Sequence, residues 1–281
     1  MPERTPRPRA RRVFRALETI HGMIYFAPQA QARYDALGLS GRMGYFASRS
    51  AAMGPVPAEV VIATFYNFEP EHVRGAIPAA WEIASPAQIL DARHAGADEA
   101  LRNALGDEIG SAEMKELAEL LRPCAFRACE RLEGRPLFAA HAALPWPDEP
   151  HMVLWHAQTL LREYRGDAHV GLLMTHGLSG LDALITHAAS GEVPAAALLS
   201  TRSWPQSAWD AALADLAERG IVDEHGAFTP AGQLQRDEIE AETDARSAYA
   251  YAALSDDEAE RLVQAGRRLS RVVIDAGLLR I

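Results

Sequence analysis

The sequence predicts an all-α, mainly helical fold made of two tandem units, with one small β-wing in the second unit. Two observations lead to this prediction. The tetrapeptide GLSG at 38–41 recurs at 177–180, an offset of 139 residues. Apolar residues elsewhere follow the period of helices, while 221–228 has turn residues between two apolar ends. The 281 residues suffice for one large domain or for two of roughly 130 residues.

The repeat continues in the same order along both halves of the chain. Residues 51–58 match 188–195 at an offset of 137, and Thr64 and Thr201 keep that offset. Each half begins with a helix that carries one histidine and ends with an apolar-periodic helix. The predicted boundaries are a basic flexible arm at 1–11, unit one at 12–130, a Pro-rich connector at 131–149 and unit two at 150–281.

The second unit gives the clearest prediction of individual elements. A short apolar helix is expected at 195–201, and an amphipathic helix at 206–219 follows a proline that suits a first turn. The wing at 221–228 comes next, and the Thr-Pro pair at 229–230 starts a long helix. This is the element order of a winged helix-turn-helix. In unit one, residues 81–85 leave no room for a wing.

Three segments resemble known families. LAERGIVDEHGAFTPAGQLQRDEI (216–239) resembles the recognition-helix end, wing and following helix of MarR-type winged-helix regulators. GPVPAEVVIATFYNF (54–68) and LPWPDEPHMVLWHAQTLLREYRGDAHV (144–170) resemble an actinobacterial helix-turn-helix-like family, and this similarity covers nearly the whole chain. MarR-type proteins are dimers joined by terminal helices, so the resemblance implies that two fused units form a single-chain pseudo-dimer.

The charge distribution disfavours DNA binding by the folded part of the chain. Residues 1–15 carry six arginines and one glutamate, a net +5, so the total of −10 leaves −15 on the remainder. The expected recognition helix, 204–219, holds three acidic residues and one arginine, and the wing presents Asp223, Glu224 and His225. A helix and wing that read DNA need donors for base edges and phosphates. A DNA-binding regulator is therefore the alternative hypothesis, and it depends on the arginine arm.

The leading hypothesis is a small-molecule pocket between the two units. If the units pair about a pseudo-twofold axis, their first helices cross near it and bring His21 and His156 together. Surrounding aromatic side chains would then give the composition typical of ligand pockets, although each aromatic alone also suits an ordinary core. The predicted ligand-binding residues are His21, Tyr25, Phe26, Tyr45, Phe46, Phe65, Tyr66, Trp155, His156 and Arg162.

A biosynthetic enzyme without a nucleotide cofactor is the second alternative. His156 and Glu163 are seven residues apart and share a helix face, and histidine titrates near neutral pH. A structural interpretation of the same segment has Arg162 and Arg165 paired with neighbouring carboxylates and the helix ending at Gly166. Both interpretations remain open from the sequence.

Other classes of site lack their sequence signatures. No GxGxxG, GxxxxGK[ST], GxSxG or HExxH motif occurs, so no nucleotide cofactor, serine nucleophile or metal site is predicted, and the cofactor stays undefined. No apolar run is long enough for a membrane span, and the N-terminus lacks a secretory signal, so we expect a cytoplasmic protein without a membrane partner. We expect a monomer with an internal pseudo-twofold axis or a higher homo-oligomer.

Overall fold

The computed structural model describes residues 8–279, and this part of the chain is mainly helical, as predicted. Short 3₁₀ turns adjoin several of the helices. The α-helices are α1 (Arg9–Gly22), α2 (Pro28–Ala36), α3 (Arg42–Ser50), α4 (Ala58–Phe65), α5 (Pro70–Arg74), α6 (Ala79–Ile83), α7 (Pro86–Leu105), α8 (Ala112–Ala128), α9 (Pro136–Ala142), α10 (Pro150–Thr175), α11 (Gly180–Ala189), α12 (Ala195–Arg202), α13 (Gln206–Glu218), α14 (Pro230–Ala248) and α15 (Asp256–Asp275).

Several helix boundaries predicted from local signals are confirmed. α12 and α13 match the two short helices expected in the second half. α14 begins at Pro230, and the side chain of Thr229 accepts the backbone N–H of Gly232 at 3.0 Å. α6 is followed almost at once by α7, so the expected lack of a wing there is also confirmed. Capping side chains and first-turn prolines act within a few residues, so the sequence alone suffices to locate these boundaries.

The predicted β-wing is wrong. The described part of the chain contains no β-strand, and the wing segment forms only one isolated antiparallel bridge, between Val222 and Phe228. The Asp223 carboxylate closes the turn by accepting the backbone N–H groups of His225 and Ala227, both at 2.9 Å. Because this Asx-type turn uses the residues between the two apolar ends, one bridging pair remains and no ladder forms.

α10 continues through Gly166, where the sequence analysis expected a helix end. It contains 26 residues and is therefore about 39 Å long at about 1.5 Å per residue. Along its length α10 packs against α1, α8, α9 and α14. This packing offsets the low helix propensity of the two internal glycines, Gly166 and Gly171.

The buried apolar residues form two cores. The larger core combines residues of α1–α9, the first half of α10 and α15. The smaller core combines Leu172 and Leu173, near the end of α10, with residues of α11–α14. The two cores do not coincide with the two predicted tandem units, because α15 packs on α1 and α10 packs on α8, across the halves. The boundaries at 12–130 and 150–281 stay a prediction about how the chain arose.

The N-terminal arginines are largely engaged within the chain. α1 begins at Arg9, so residues 9–11 of the predicted arm are helical, whereas Arg4 and Arg7 lie outside the described residues. The other four form ion pairs with acidic residues of α14, of α15 and of the loop after α11. These pairs are Arg9–Asp256, Arg11–Glu240 (3.0 Å), Arg11–Asp244 (2.6 Å), Arg12–Glu260 and Arg15–Glu192 (2.9 Å).

Candidate functional site

A cavity of about 780 Å³ lies where the larger and the smaller core meet. Its wall is formed by residues of α1, α3, the second half of α10 and the end of α12, together with Thr64, Phe65, Asn67 and Phe68 around the end of α4. Small-molecule sites in proteins have volumes of roughly 300–1,000 Å³. The cavity is therefore large enough for an organic ligand.

Six of the residues predicted from the sequence line this cavity. Two of them follow α1, two come from α3 and α4, and two are consecutive residues of α10. They are Tyr25, Phe26, Tyr45, Phe65, Arg162 and Glu163.

Three arginines that the sequence analysis missed also line the cavity. Arg42 and Arg49 belong to α3, and Arg202 is the last residue of α12. Among residues 8–279, none of the three has a carboxylate within ion-pair distance; their polar partners are carbonyl and hydroxyl oxygens. Arg162 differs, because it pairs with Glu18 and with Glu163, each at 3.0 Å.

Aromatic rings hold two of these guanidinium groups in place. The Arg49 guanidinium lies 4.1 Å from the centroid of the Phe65 ring, and the Arg202 guanidinium lies 4.8 Å from that of Phe68. Arg49 also donates from Nη1 to the Tyr45 hydroxyl at 2.9 Å. A guanidinium stacked on a ring keeps N–H groups at its edge for further hydrogen bonds.

Arg42 links the two sides of the cavity. Its Nη1 donates to the carbonyl oxygen of Thr201 at 2.7 Å, and its Nη2 donates to that of Ser200 at 3.4 Å. Carbonyls in the last turn of a helix lack partners within that helix. Arg42 therefore caps the end of α12 from α3.

The two cores also meet tightly beside the cavity. The Tyr66 hydroxyl donates to the carbonyl oxygen of Leu178, and Trp204 Nε1 donates to that of Asn67 at 3.0 Å. A Cβ atom added to Gly180 would lie only 1.9 Å from the Tyr66 carbonyl oxygen, so glycine is required for this approach. These contacts fix α11 and α12 against the loop that follows α4.

The acidic side chains of the wall are balanced by their own partners. Burial raises the pKa of Glu163, but the cations Arg162 and Arg49 outweigh burial and lower it overall. For Glu18, burial outweighs Arg162 and raises the pKa. Burial also raises the pKa of Asp167 to about 6, although its carboxylate accepts a backbone N–H at 2.9 Å. Glu163 therefore offsets part of the charge of Arg49 from beyond ion-pair distance, whereas none of the three carboxylates forms an ion pair with Arg42 or Arg202.

Two further pKa shifts report a positive field in the cavity. Burial raises the pKa of Tyr45, but Arg49, Arg202 and Arg162 reverse this effect and lower it overall. Burial lowers the pKa of Arg202, and the like charges of Arg49 and Arg42 lower it further. Tyr45 raises it but does not outweigh these effects. The pKa of Arg49 is raised instead: burial lowers it, but Tyr45, Tyr25 and Glu163 outweigh burial, so the excess positive charge lies at Arg202.

His21 lies behind the cavity wall. Its Nδ1 is 2.8 Å from Thr159 Oγ1, and its Nε2 is 2.7 Å from the Tyr25 hydroxyl. Burial, followed by the charges of Arg162 and Arg93, keeps the pKa of His21 well below its usual value, so the ring is neutral. His21 therefore orients Tyr25 and does not itself line the cavity.

The other predicted ligand-binding residues are core residues. Phe46 and Trp155 are buried in the larger core, and Tyr66 packs against the smaller one. The expected meeting of His21 with His156 is not found, because His21 stacks on Trp155 with ring centroids 6.4 Å apart. For these residues the ordinary-core interpretation of the sequence is the better one.

The predicted catalytic pair is not assembled. His156 is 1% exposed and packs edge-on against Trp146, with ring centroids 4.8 Å apart, whereas Glu163 pairs with Arg162 at the cavity. Burial lowers the pKa of His156 to about 4, so its ring is neutral at pH 7. The side chains of α10 around His156 are buried on all sides of the helix. Sharing a helix face with Glu163 therefore does not bring His156 to the cavity.

The exposed surface of α13 is acidic. Asp210, Asp215 and Glu218 are exposed there. Arg219, which directly follows α13, lies 3.1 Å from the Asp215 carboxylate and donates to the carbonyl oxygen of Gly177 at 2.8 Å. The single arginine that the sequence offered for DNA recognition on this helix is therefore engaged within the chain.

Neither a metal site nor a membrane span is found in the described part of the chain. Among residues 8–279, no group of three or more histidine, cysteine, aspartate or glutamate side chains is arranged to hold a metal ion. None of the described helices combines the length and apolarity that crossing a membrane requires.

Comparison with known proteins identifies the family. No curated protein and no solved structure matches the chain. A family model described as a helix-turn-helix family matches residues 10–280, which includes the helices of both cores. The resemblance to a helix-turn-helix-like family, noted in the sequence, is thereby confirmed. The chain belongs to this helix-turn-helix family.

Proposed function

We propose that this helix-turn-helix protein binds a small organic molecule in the cavity between its two cores. One observation carries the proposal: a cavity of about 780 Å³ whose wall combines aromatic rings with arginines that have no acidic partner among residues 8–279. Aromatic surface with a few oriented polar groups is the usual composition of a ligand pocket. A partly buried cation without an anion is costly, and a bound ligand would relieve that cost.

DNA binding is the second candidate, because the family match favours a scaffold related to DNA-binding regulators. Two observations weigh against it. The exposed face of α13 is acidic, and four of the six N-terminal arginines pair with carboxylates of the chain itself. A protein that neutralises few phosphates holds DNA weakly. We therefore favour a regulator-like scaffold whose present function is ligand binding.

Acid–base catalysis has less support than either candidate. The hypothesis needs His156 beside a bound substrate, and His156 packs against Trp146 away from the cavity wall. Glu163 does line the cavity, but its carboxylate is already paired with Arg162 at 3.0 Å. An enzyme that uses this pair would need a different arrangement of α10.

We infer that the chain arose by fusion of two copies of one helical unit, distantly related to MarR-type regulators. Among described non-glycine residues, positive φ occurs at Tyr66 and Ser203, both at 62°, and their separation equals the repeat offset of 137. Trp204 donates to Asn67, again 137 residues apart. Contacts between equivalent positions are expected beside a pseudo-twofold axis. Residues from both copies would then surround the ligand.

Native mass spectrometry of the full chain tests the ligand-binding proposal. After incubation with a small-molecule extract of its source cells, the protein should carry an added mass that denaturation releases. The double variant Tyr45→Ala, Phe65→Ala should lose this mass, while Phe126→Ala, which changes an exposed ring outside the cavity wall, should keep it. No retained molecule, combined with a gel shift of DNA at low salt, would favour the second candidate.

A further inference from the structure

We infer that the ligand is an organic dianion whose charged group is bound jointly by Arg42, Arg49 and Arg202. The inference rests on the proposed ligand-binding function and names the chemical class of the ligand. Its charged group is a phosphate monoester or a pair of carboxylates, and its remaining part is planar and apolar. The anion would hold α12 against α3.

The charge balance of the chain is the first argument. The protein carries a net charge of −10, so carboxylates are abundant. Arg162 and Arg165 illustrate the usual result: each pairs with two carboxylates at 3.0–3.2 Å. Arg42, Arg49 and Arg202, by contrast, have none among residues 8–279. Three guanidinium groups without an ion pair lie at one cavity, and Glu163 offsets only Arg49 in part, so they match a ligand with two or more negative charges.

Unused hydrogen-bond donors are the second argument. The Nε atoms of Arg49 and of Arg202 are both buried and have no hydrogen-bond partner in the described structure. Each guanidinium lies over a ring, that of Phe65 or that of Phe68, and donates a side-chain hydrogen bond from Nη1, so its Nη2 group keeps in-plane donors for a ligand. Oxygen atoms of a phosphate or a carboxylate suit such planar pairs of donors.

The remaining lining residues indicate the chemistry of the uncharged part of the ligand. Tyr25, Phe26 and Tyr45 line the cavity. The acidic residues that also face it, Glu18, Glu163 and Asp167, are engaged by Arg162 or by a backbone N–H. The Arg49 guanidinium lies 5.4 Å from the centroid of the Tyr25 ring and 5.5 Å from that of Tyr45, so a ring of the ligand would contact the aromatic wall directly beside its anion.

The positions of the three arginines in the fold imply that the ligand joins the two cores. Arg42 and Arg49 lie on α3, which belongs to the larger core, and Arg202 ends α12, which belongs to the smaller core. An anion bound by both helices replaces repulsion between guanidinium groups by attraction to a shared partner. Binding should therefore raise the stability of the whole chain.

Isothermal titration calorimetry of the full chain with defined probes tests the inference. Phenyl phosphate and phthalate are ring-bearing dianions, inorganic phosphate lacks the ring, and benzyl alcohol lacks the charge. We expect at least one ring-bearing dianion to bind, inorganic phosphate to bind more weakly, and benzyl alcohol not to bind at millimolar concentration. Whether the preferred probe is phenyl phosphate or phthalate identifies the charged group.

Arginine variants show whether binding uses the inferred groups. Arg49→Gln and Arg202→Gln should each weaken binding of the preferred dianion by about tenfold or more. Arg122→Gln is the matched control, because Arg122 stacks on Phe126 and Trp146 outside the cavity wall, and it should bind like the wild type. Circular dichroism establishes that each variant is folded, and Arg49→Lys, which keeps the charge, should retain part of the affinity.

The outcomes distinguish this inference from the proposed function. If the dianions fail and benzyl alcohol binds, or if Arg49→Gln and Arg202→Gln bind normally, the dianion is wrong while ligand binding stands. If inorganic phosphate binds as tightly as the ring-bearing dianions, the apolar half of the inference is wrong. If no probe binds and native mass spectrometry finds no retained molecule, both the inference and the proposed function fall.

Discussion

Replacement of Gly180 by alanine tests the contact between the two cores directly. The new Cβ atom would lie 1.9 Å from the Tyr66 carbonyl oxygen and 3.1 Å from the Asn67 Cα. Since unbonded carbon and oxygen atoms stay about 3.3 Å apart, α11 or the loop after α4 must move by about 1.4 Å. The neighbouring atoms are backbone, so a change of side-chain rotamer cannot relieve the clash.

The expected loss of stability for Gly180→Ala has two parts. Overpacking of this kind costs about 1–3 kcal/mol. The shift also breaks the hydrogen bond from the Tyr66 hydroxyl to Leu178, a loss of about 1 kcal/mol. The free energy of unfolding should therefore fall by about 2–4 kcal/mol, measured by urea denaturation followed by circular dichroism.

Gly171→Ala is the matched control for this prediction. Gly171 lies inside α10, and an added Cβ would meet no atom within 4 Å. Alanine there should raise stability by about 0.5–1 kcal/mol, because glycine is unfavourable within a helix. If Gly180→Ala proves as stable as Gly171→Ala, the close approach of α11 to the loop after α4 is refuted.

Three further substitutions test other parts of the structure, each by urea denaturation. The folded-state pKa of Asp167 is about 6, above its ordinary value of 3.8. The free energy of unfolding of the wild type should therefore fall by at most about 3 kcal/mol as the pH rises from about 4 to about 6. Asp167→Asn should not show this fall. The folded-state pKa of His156, about 4, lies below its ordinary value of 6.5, so the wild type should lose stability as the pH falls through that range. His156→Gln should lack that loss of stability and bind the ligand with wild-type affinity. Weaker binding would show that His156 contributes to the ligand site. Asp244→Asn should cost about 3 kcal/mol, because the buried Asp244 pairs with arginines of α1 and α10, while Asp91→Asn on the exposed face of α7 should cost little.

The sequence predicted those elements that depend on short-range interactions. The Thr-Pro pair at 229–230 acts within one helical turn, so its helix begins where expected. The wing was mispredicted at the same short range. The side chain of Asp223 competes with strand pairing in a manner that the apolar pattern does not reveal.

The cavity depended on long-range packing and was only partly predictable. Tyr25, Tyr45 and Phe65 were found because aromatic residues near the repeat suggested a pocket. The importance of Arg49 and Arg202 lies in the absence of a carboxylate neighbour among the described residues, which only the tertiary structure can establish. His156 illustrates the opposite error, since helical spacing alone placed a core histidine in an active site.

The unbroken course of α10 has a mechanical consequence. The same rigid rod of about 39 Å contributes Trp155 to the larger core and Leu172 to the smaller one. The two cores therefore cannot move as independent bodies joined by a flexible linker. Any motion that opens the cavity must pivot α11–α13 about the short joints that attach them to α10 and α14, near Gly177 and Gly220, whose positive φ values suit such turns. A spin-label pair across α3 and α12 would register that motion, whereas a pair along α10 would stay at constant distance.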